Sequence, residues 1–170
     1  SNSLDDLLKT DEYSKALVIT HKTLQEPYAK IVAKHAVLYR PKSVHLGIGC
    51  NRGTSADEIK QVITETLQEQ HISLTSVKRV ATIDLKKDEA GLLQVCKEFG
   101  WEFIYYSPNE LNKMPLKNPS EVVYKYTGAY GVSEPAAMLS ANTKELVLEK
   151  KKSGNVTISI AVSRGENNAM

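Results

Sequence analysis

Apolar positions along the chain recur with two different periods, and the switches between them mark out most of the elements. Ala16-Leu17-Val18-Ile19-Thr20 is a short apolar run ending in polar residues and reads as a buried strand. Between Pro27 and Tyr39, Ile31, Val32, His35 and Leu38 fall at helical spacing. Tyr39-Arg40-Pro41 ends that helix, because the residue before a proline is pushed out of helical angles. Ser43 to Gly49 (SVHLGIG) is β-rich and runs into a glycine loop. A helix starts at Thr54-Ser55, where Ser55 and Glu58 have capping-box spacing. Its apolar stripe is Ile59, Val62, Ile63 and Leu67.

A second unit repeats the pattern. Val77 to Ile83 reads as a strand, Asp88 to Phe99 as a helix with Leu92, Val95, Cys96 and Phe99 on one face, and Gly100 as its stop. Trp101 to Tyr106 is the next strand. Farther on, Asn118-Pro119-Ser120-Glu121 predicts a helix start with Asn118 as cap, and Ser133 to Ala137 a second, short start with Ser133 as cap. Leu146 to Leu148, the basic run Lys150 to Lys152 and Ser153-Gly154-Asn155 lead into Val156, Ile158, Ile160 and Val162. These four alternate with Thr157, Ser159, Ala161 and Ser163. That is a hairpin with lysines at its tip and a last strand with one core face and one more polar face. Gly165 to Met170 carries no periodicity and is expected to be a tail. Strand, helix, strand, helix, strand, then hairpin predicts an α/β fold: an open, largely parallel sheet flanked by helices, with a C-terminal β-hairpin.

Composition narrows the class. With 170 residues, 41% hydrophobic and 25% charged, the chain has room for one ordinary core and no need of a disulfide or metal staple. The charges, 22 basic against 20 acidic, lack the concentrated excess of a nucleic-acid binder, and no apolar run approaches the roughly eighteen residues that span a membrane. Two cysteines, Cys50 and Cys96, are too few for a disulfide framework, and no secretory signal opens the chain, so a reducing cytoplasm is the expected compartment. Ser1-Asn2-Ser3, with no methionine, reads as a scar on a piece cut from something longer.

Three stretches gather chemistry. Gly47-Ile48-Gly49-Cys50-Asn51-Arg52-Gly53-Thr54-Ser55 places three glycines between a strand and a helix N-terminus, where main-chain N–H groups and Arg52 suit an anion. Its G-x-G-x-x-x-G spacing is neither the dinucleotide fingerprint nor the Walker loop, and close packing alone would also account for the glycines. Asp84 to Glu89 follows the second strand, where an open parallel sheet binds its ligands; Asp84 is best placed to face that crevice, and Asp88 reads as a helix cap. Gly128 to Ala136 sets Ser133 and Glu134 at a helix start, chemistry that capping alone explains, although a glutamate there can also act as a base. His21, His35, His45 and His71 show no metal-ligand spacing, and His45, inside a strand, reads as a core residue. Cys50 sits in a loop that would lower its pKa. Tyr124, Tyr126 and Tyr130 either line a pocket or cover the surface.

The ordered runs GIGCNRGTSADEI (Gly47 to Ile59), IDLKKDEAGL (Ile83 to Leu92), NPSEVV (Asn118 to Val123) and GVSEPAAML (Gly131 to Leu139) resemble the C-terminal domain of the CbiG family and the stand-alone CobE proteins, over roughly Pro41 to Ser163. Residues 1–40 resemble the stretch preceding that domain, 41–164 the domain itself, and 165–170 a tail. The resemblance implies cobalamin biosynthesis, with full-length CbiG as the cobalt-precorrin-5A hydrolase. That enzyme opens a δ-lactone on the macrocycle and releases acetaldehyde. It further implies a cobalt-corrinoid intermediate as ligand, with cobalt carried by the substrate and no cofactor. The expected partners are the N-terminal part of CbiG and other enzymes of the pathway, without nucleic acid or membrane. Catalysis would rest on Glu134, or on Asp84. Substrate binding would fall to Gly47, Gly49, Cys50, Asn51, Arg52, Gly53, Thr54, Ser55, Lys86 and Ser133. The alternative is a CobE-like module that binds or carries the intermediate without turning it over.

Overall fold

The structure, a computed structural model, describes residues 17–19, 22–23, 37–39 and 41–163. Two short strands, β1 (Leu17–Ile19) and β2 (Val37–Tyr39), pair in parallel as a sheet of their own. The first strand is where the apolar run put it. Val37–Tyr39 corrects the helix expected over Pro27 to Tyr39: its last three residues are extended and hydrogen-bonded to β1, a pairing that local periodicity does not report. The rest of that helix, and the tail after Ser163, lie outside the described residues.

The main body is a five-stranded mixed sheet in the order β5-β4-β3-β7-β6. Its strands are β3 (Val44–Cys50), β4 (Val77–Ile83), β5 (Glu102–Tyr106), β6 (Leu148–Ser153) and β7 (Val156–Val162). β3, β4 and β5 run parallel; β7 is antiparallel to β3 and turns back as β6. The connections between the parallel strands are α1 (Ala56–Glu69) and α2 (Ala90–Phe99). α3 (Pro108–Leu111), α4 (Glu121–Thr127) and α5 (Ser133–Ala141) come after β5.

The faces of the sheet follow the alternation along each strand. Val44, Leu46 and Ile48 of β3, Val80 of β4 and Val156, Ile158 and Ile160 of β7 form one core with Ile59, Val62, Ile63 and Leu67 of α1 and Leu92, Val95 and Cys96 of α2. Each large aliphatic side chain buried there stabilises the fold by roughly 1.5–3 kcal/mol. Gly100, at φ 74°, ends α2 in the left-handed region as its sequence position requires, and Phe99 stacks on Trp101 behind it.

The other face is built from small residues, and that is why α5 sits so close to it. His45 and Gly47 of β3, Ala81 of β4, and Ser159 and Ala161 of β7 meet Ser133, Ala136, Ala137, Ser140 and Ala141, which lie at helical spacing on one face of α5, and all of these are buried. The polar face expected on β7 is therefore covered by α5, and the buried Ser159 is satisfied by donating its hydroxyl to Ser133 Oγ at 2.9 Å. A Cβ built on Gly47 would lie 1.8 Å from Ser133 O, so this glycine lets a helix touch the central strand.

Two helix starts and one hairpin tip differ from expectation. Ser120, not Asn118, caps α4, accepting from Val123 N–H at 3.2 Å, which leaves Pro119 ahead of the cap and outside the helix. Ser133 is the first residue of α5, with its hydroxyl spent on Ser159 and no helix amide bound to it. Lys150, Lys151 and Lys152 lie within β6, with the tip at Gly154-Asn155. Among the described residues no helix is long and apolar enough to cross a membrane.

Candidate functional site

The glycine-rich stretch divides into two parts. Gly47 and Gly49 are strand residues, opposite Ser159 and Thr157 of β7, so their amides belong to the sheet or its packing and form no cradle. Val132 lies 3.6 Å from a Cβ placed on Gly49. The true loop is Asn51 to Ser55. Thr54 folds it back, its hydroxyl and its N–H both donating to Asn51 O at 2.6 and 3.2 Å. Asn51 is tied to the hairpin tip by N–H to Asn155 O at 3.0 Å and by Nδ2 to Asn155 Oδ1 at 2.7 Å. Ser55 caps α1 through Glu58 N–H at 3.1 Å. The expected capping box is half made: the Glu58 carboxylate turns instead to Asn155 N–H at 2.8 Å and Nδ2 at 3.1 Å, which holds its pKa below the usual range.

An anion does sit on this loop, and it belongs to the chain. Glu89, buried just ahead of α2, accepts the Gly53 N–H on Oε2 at 2.8 Å, and its Oε1 lies 3.0 Å from Arg52 Nη1 without an aligned hydrogen bond. Arg52 also donates to Asp88 Oδ1 at 3.0 Å and to Leu85 O at 2.6 Å. That pairing raises the Arg52 pKa and lowers that of Asp88, and it corrects the reading of Asp88 as a cap: the residue flanking α2 is Glu89, and Asp88 faces Arg52. The loop and the segment after β4 are thus latched to each other, a pairing across 36 residues that no local signal announces.

The remaining predicted residues separate. Lys86 and Asp84 lie half-buried on a single 3-10 turn after β4; Asp84 has no side-chain hydrogen bond or ion pair among the described residues. Cys50 is half-buried, and burial followed by the charge of Glu89 raises its thiol pKa, outweighing Lys86 and Arg52, so the lowered pKa expected of it is corrected. Ser133 is sealed against Ser159 and is not available to a ligand. Glu134, on the first turn of α5, accepts from Lys150 N–H at 2.8 Å, so it also shields the edge of β6. It lines a cleft of about 420 Å³ with Lys117, Met138, Lys144 and Glu149, and Lys117 is paired with Glu149 at 2.8 Å. None of the residues Gly47 to Ser55 lines this cleft, nor the adjoining one of about 550 Å³ with which it shares Met138, Lys144 and Glu145.

One buried polar pair was legible only as a core histidine. His45 Nδ1 lies 2.6 Å from Ser140 Oγ, while its Nε2 has no partner among the described residues. Burial, reinforced by Arg79 and Lys78, lowers its pKa to about 4, so the ring is neutral and pins α5 to β3.

The geometry defines an α/β module with a parallel-strand edge, a latched glycine loop and a separate carboxylate-lined cleft. Residues 44–161 match the family described as Cobalamin synthesis G C-terminus, and the chain belongs to that family. It is 58% identical over 147 residues, 86% of this chain and 39% of the relative, to a cobalt-precorrin-5A hydrolase of Priestia megaterium. It is 31% identical over 119 residues, 68% of this chain and 77% of the relative, to Protein CobE of a Sinorhizobium species. The solved structure of CobE, a protein from the cobalamin (vitamin B12) biosynthetic pathway, is similar over 69% of this chain and 91% of that one, with 30% identity and a TM-score of 0.64. The chain spans about two fifths of the length of the curated hydrolases it matches.

Proposed function

We propose that this chain is the C-terminal module of a cobalt-precorrin-5A hydrolase working in the cytoplasm. The observation that carries the reading is the 58% identity to the Priestia megaterium protein of that name. The ligand is a cobalt-bearing macrocycle rimmed with acetate and propionate carboxylates. Its metal arrives with it, so the module calls for no cofactor of its own. The other partners are the N-terminal part of the hydrolase and neighbouring enzymes of the pathway.

Opening a δ-lactone needs an activated water, donors for the oxyanion, and a base to take a hydroxyl proton as the carbon–carbon bond breaks and acetaldehyde leaves. Glu134 is the base we favour. Its carboxylate is oriented by the Lys150 N–H and opens onto a cleft with Lys117 and Lys144. Asp84, free of side-chain partners among the described residues at the carboxyl end of β4, is the alternative. On that side of the molecule the amides of Asn51 and Gly53 already have acceptors, which leaves Lys86 and the exposed part of Arg52 as donors to a substrate carboxylate.

The roles are tested by Glu134→Gln and Asp84→Asn in a protein carrying this module with the rest of the hydrolase, followed by acetaldehyde release. Loss of a base is expected to lower the rate by about a hundredfold or more. Near wild-type rates in both variants remove these assignments. The second reading, a carrier module, is favoured by the CobE match, in which this module makes up 77% of the relative. Mixing the chain with cobalt-precorrin-5A separates the two: acetaldehyde marks catalysis, and a spectral shift without acetaldehyde marks a carrier.

A further inference from the structure

Between β5 and α5 the chain makes a closed excursion that carries α4. Asn112 staples its base, with Nδ2 donating to Gly128 O and Oδ1 accepting from Tyr130 N–H, both at 2.9 Å. Ser120 N–H donates to Tyr130 O at 2.9 Å. Leu111 and Ala129, both fully buried, seat the two ends in one cluster with Ala81 and Ile83 of β4. The helix held this way buries no residue of its own. Compact loops with closed bases and outward side chains commonly present binding groups.

Helical spacing puts Val122, Lys125 and Tyr126 on one face. Val122 is 67% exposed and Tyr126 75%, and Lys125 is exposed too. Tyr124 falls on the other side and stacks on Tyr130, with centroids 4.3 Å apart and 23° between the rings, so the helix is braced from behind. The exposed apolar surface is on the order of 300 Å², judged from the ~150–250 Å² of an aromatic side chain. A stable protein interface takes about 800 Å² from each partner. About 450 Å² of that is apolar in an ordinary interface, so the patch falls short of what a dimer needs and suits one face of a planar molecule. Charge points the same way. Lys125, and Lys113 beside the staple, have no ion pair among the described residues and bring positive charge to the excursion. The excursion also leaves from the carboxyl end of β5, where the pairing of Ile83 with Tyr106 sets its start alongside Asp84.

We propose that the Val122–Lys125–Tyr126 face of α4 is a stacking platform for the conjugated macrocycle. The Tyr126 ring and Val122 lie against the ring face, and the Lys125 ammonium meets one of its carboxylates. This rests on the corrinoid reading above and adds where the ring lies.

The test is a spectral titration of the chain with cobalt-precorrin-5A, using wild type, Tyr126→Ser, Val122→Ser/Tyr126→Ser, Lys125→Gln and, as a control on the outer face of α2, Leu93→Ser. Tyr126→Ser is expected to weaken binding about tenfold or more, with the double variant weaker still. Lys125→Gln is expected to bind severalfold more weakly, by a margin that shrinks as salt is raised. Leu93→Ser should bind as wild type, and the α4 variants should melt with wild type, because α4 buries no residue of its own. If wild type binds and the α4 variants bind within twofold of it, the platform is overturned while the corrinoid reading stands. No spectral shift with wild type overturns that reading and the platform with it. Wild-type dimers in sedimentation that Tyr126→Ser dissolves would make the face a protein interface and likewise overturn the platform.

Discussion

Replacing Gly47 with alanine asks directly what this glycine is for. A methyl group there would come within 1.8 Å of Ser133 O, 2.8 Å of Ala137 N and 2.9 Å of Ser133 C. All three are backbone atoms of α5, so no rotamer change relieves the clash, and the helix must lift from the sheet. Lifting it loosens Ala136 and Ala137 and strains the Ser133–Ser159 and His45–Ser140 contacts. Overpacking of this kind costs typically 1–3 kcal/mol, and a clash with backbone belongs at or above the top of that range. At about 2–4 °C per kcal/mol for a chain of this size, Gly47→Ala should melt roughly 6–12 °C below wild type. Gly49→Ala is the matched control: its methyl would meet Val132 at 3.6 Å, an ordinary contact, and should be neutral. Thermal and urea unfolding followed by circular dichroism read both. A Gly47→Ala protein melting within 2 °C of wild type would refute the seating of α5 on β3. If that variant also lost corrinoid binding, the glycine would be a ligand contact after all.

Three further outcomes follow from the same structure. Glu89→Ala leaves the Gly53 N–H and the Arg52 charge without their buried partner and should cost about 1–3 kcal/mol in urea unfolding, with Glu89→Gln milder because an acceptor oxygen remains. The unfolded chain, with an imidazole near the ordinary 6.5, binds a proton that folded His45 refuses until about pH 4. Stability is therefore full above pH 6.5 and falls by up to about 3 kcal/mol as pH drops toward 4, and urea midpoints across that window should lose much of this slope in His45→Gln. Cys50 should react with a disulfide reagent at pH 8 more slowly than free cysteine. Cys96, pushed up to about 12 by burial, should react only after unfolding; fast labelling of the folded protein at either thiol would contradict the burial described.

Local rules carried the reading of the body of the fold a long way. The stripes Ile59-Val62-Ile63-Leu67 and Leu92-Val95-Cys96 face the core as their spacing requires, Gly100 stops α2, and Val77–Ile83 is a strand from end to end. These features depend on neighbours within one or two turns, which is the range a periodicity senses. Val37–Tyr39 shows the limit: residues at helical spacing became a strand because a partner strand was available elsewhere in the chain.

The candidate site was legible in its residues and not in its wiring. Which groups would carry charge beyond the parallel strands (Arg52, Asp84, Lys86 and Asp88) and at the start of α5 (Glu134) could be named from position after a strand or before a helix. Which of them are spoken for could not, because the partners lie far away along the chain. Glu89 fills the loop that looked open to an anion, Ser159 claims Ser133, and Lys150 fixes Glu134. Short-range pattern, then, determined the α/β class, the core stripes and the list of chemically able side chains, since backbone propensity and amphipathic spacing act locally. Only the packed structure decided which hydroxyls, amides and carboxylates are already paired and which remain for a ligand, since hydrogen bonds and ion pairs depend on distance in space and not along the chain.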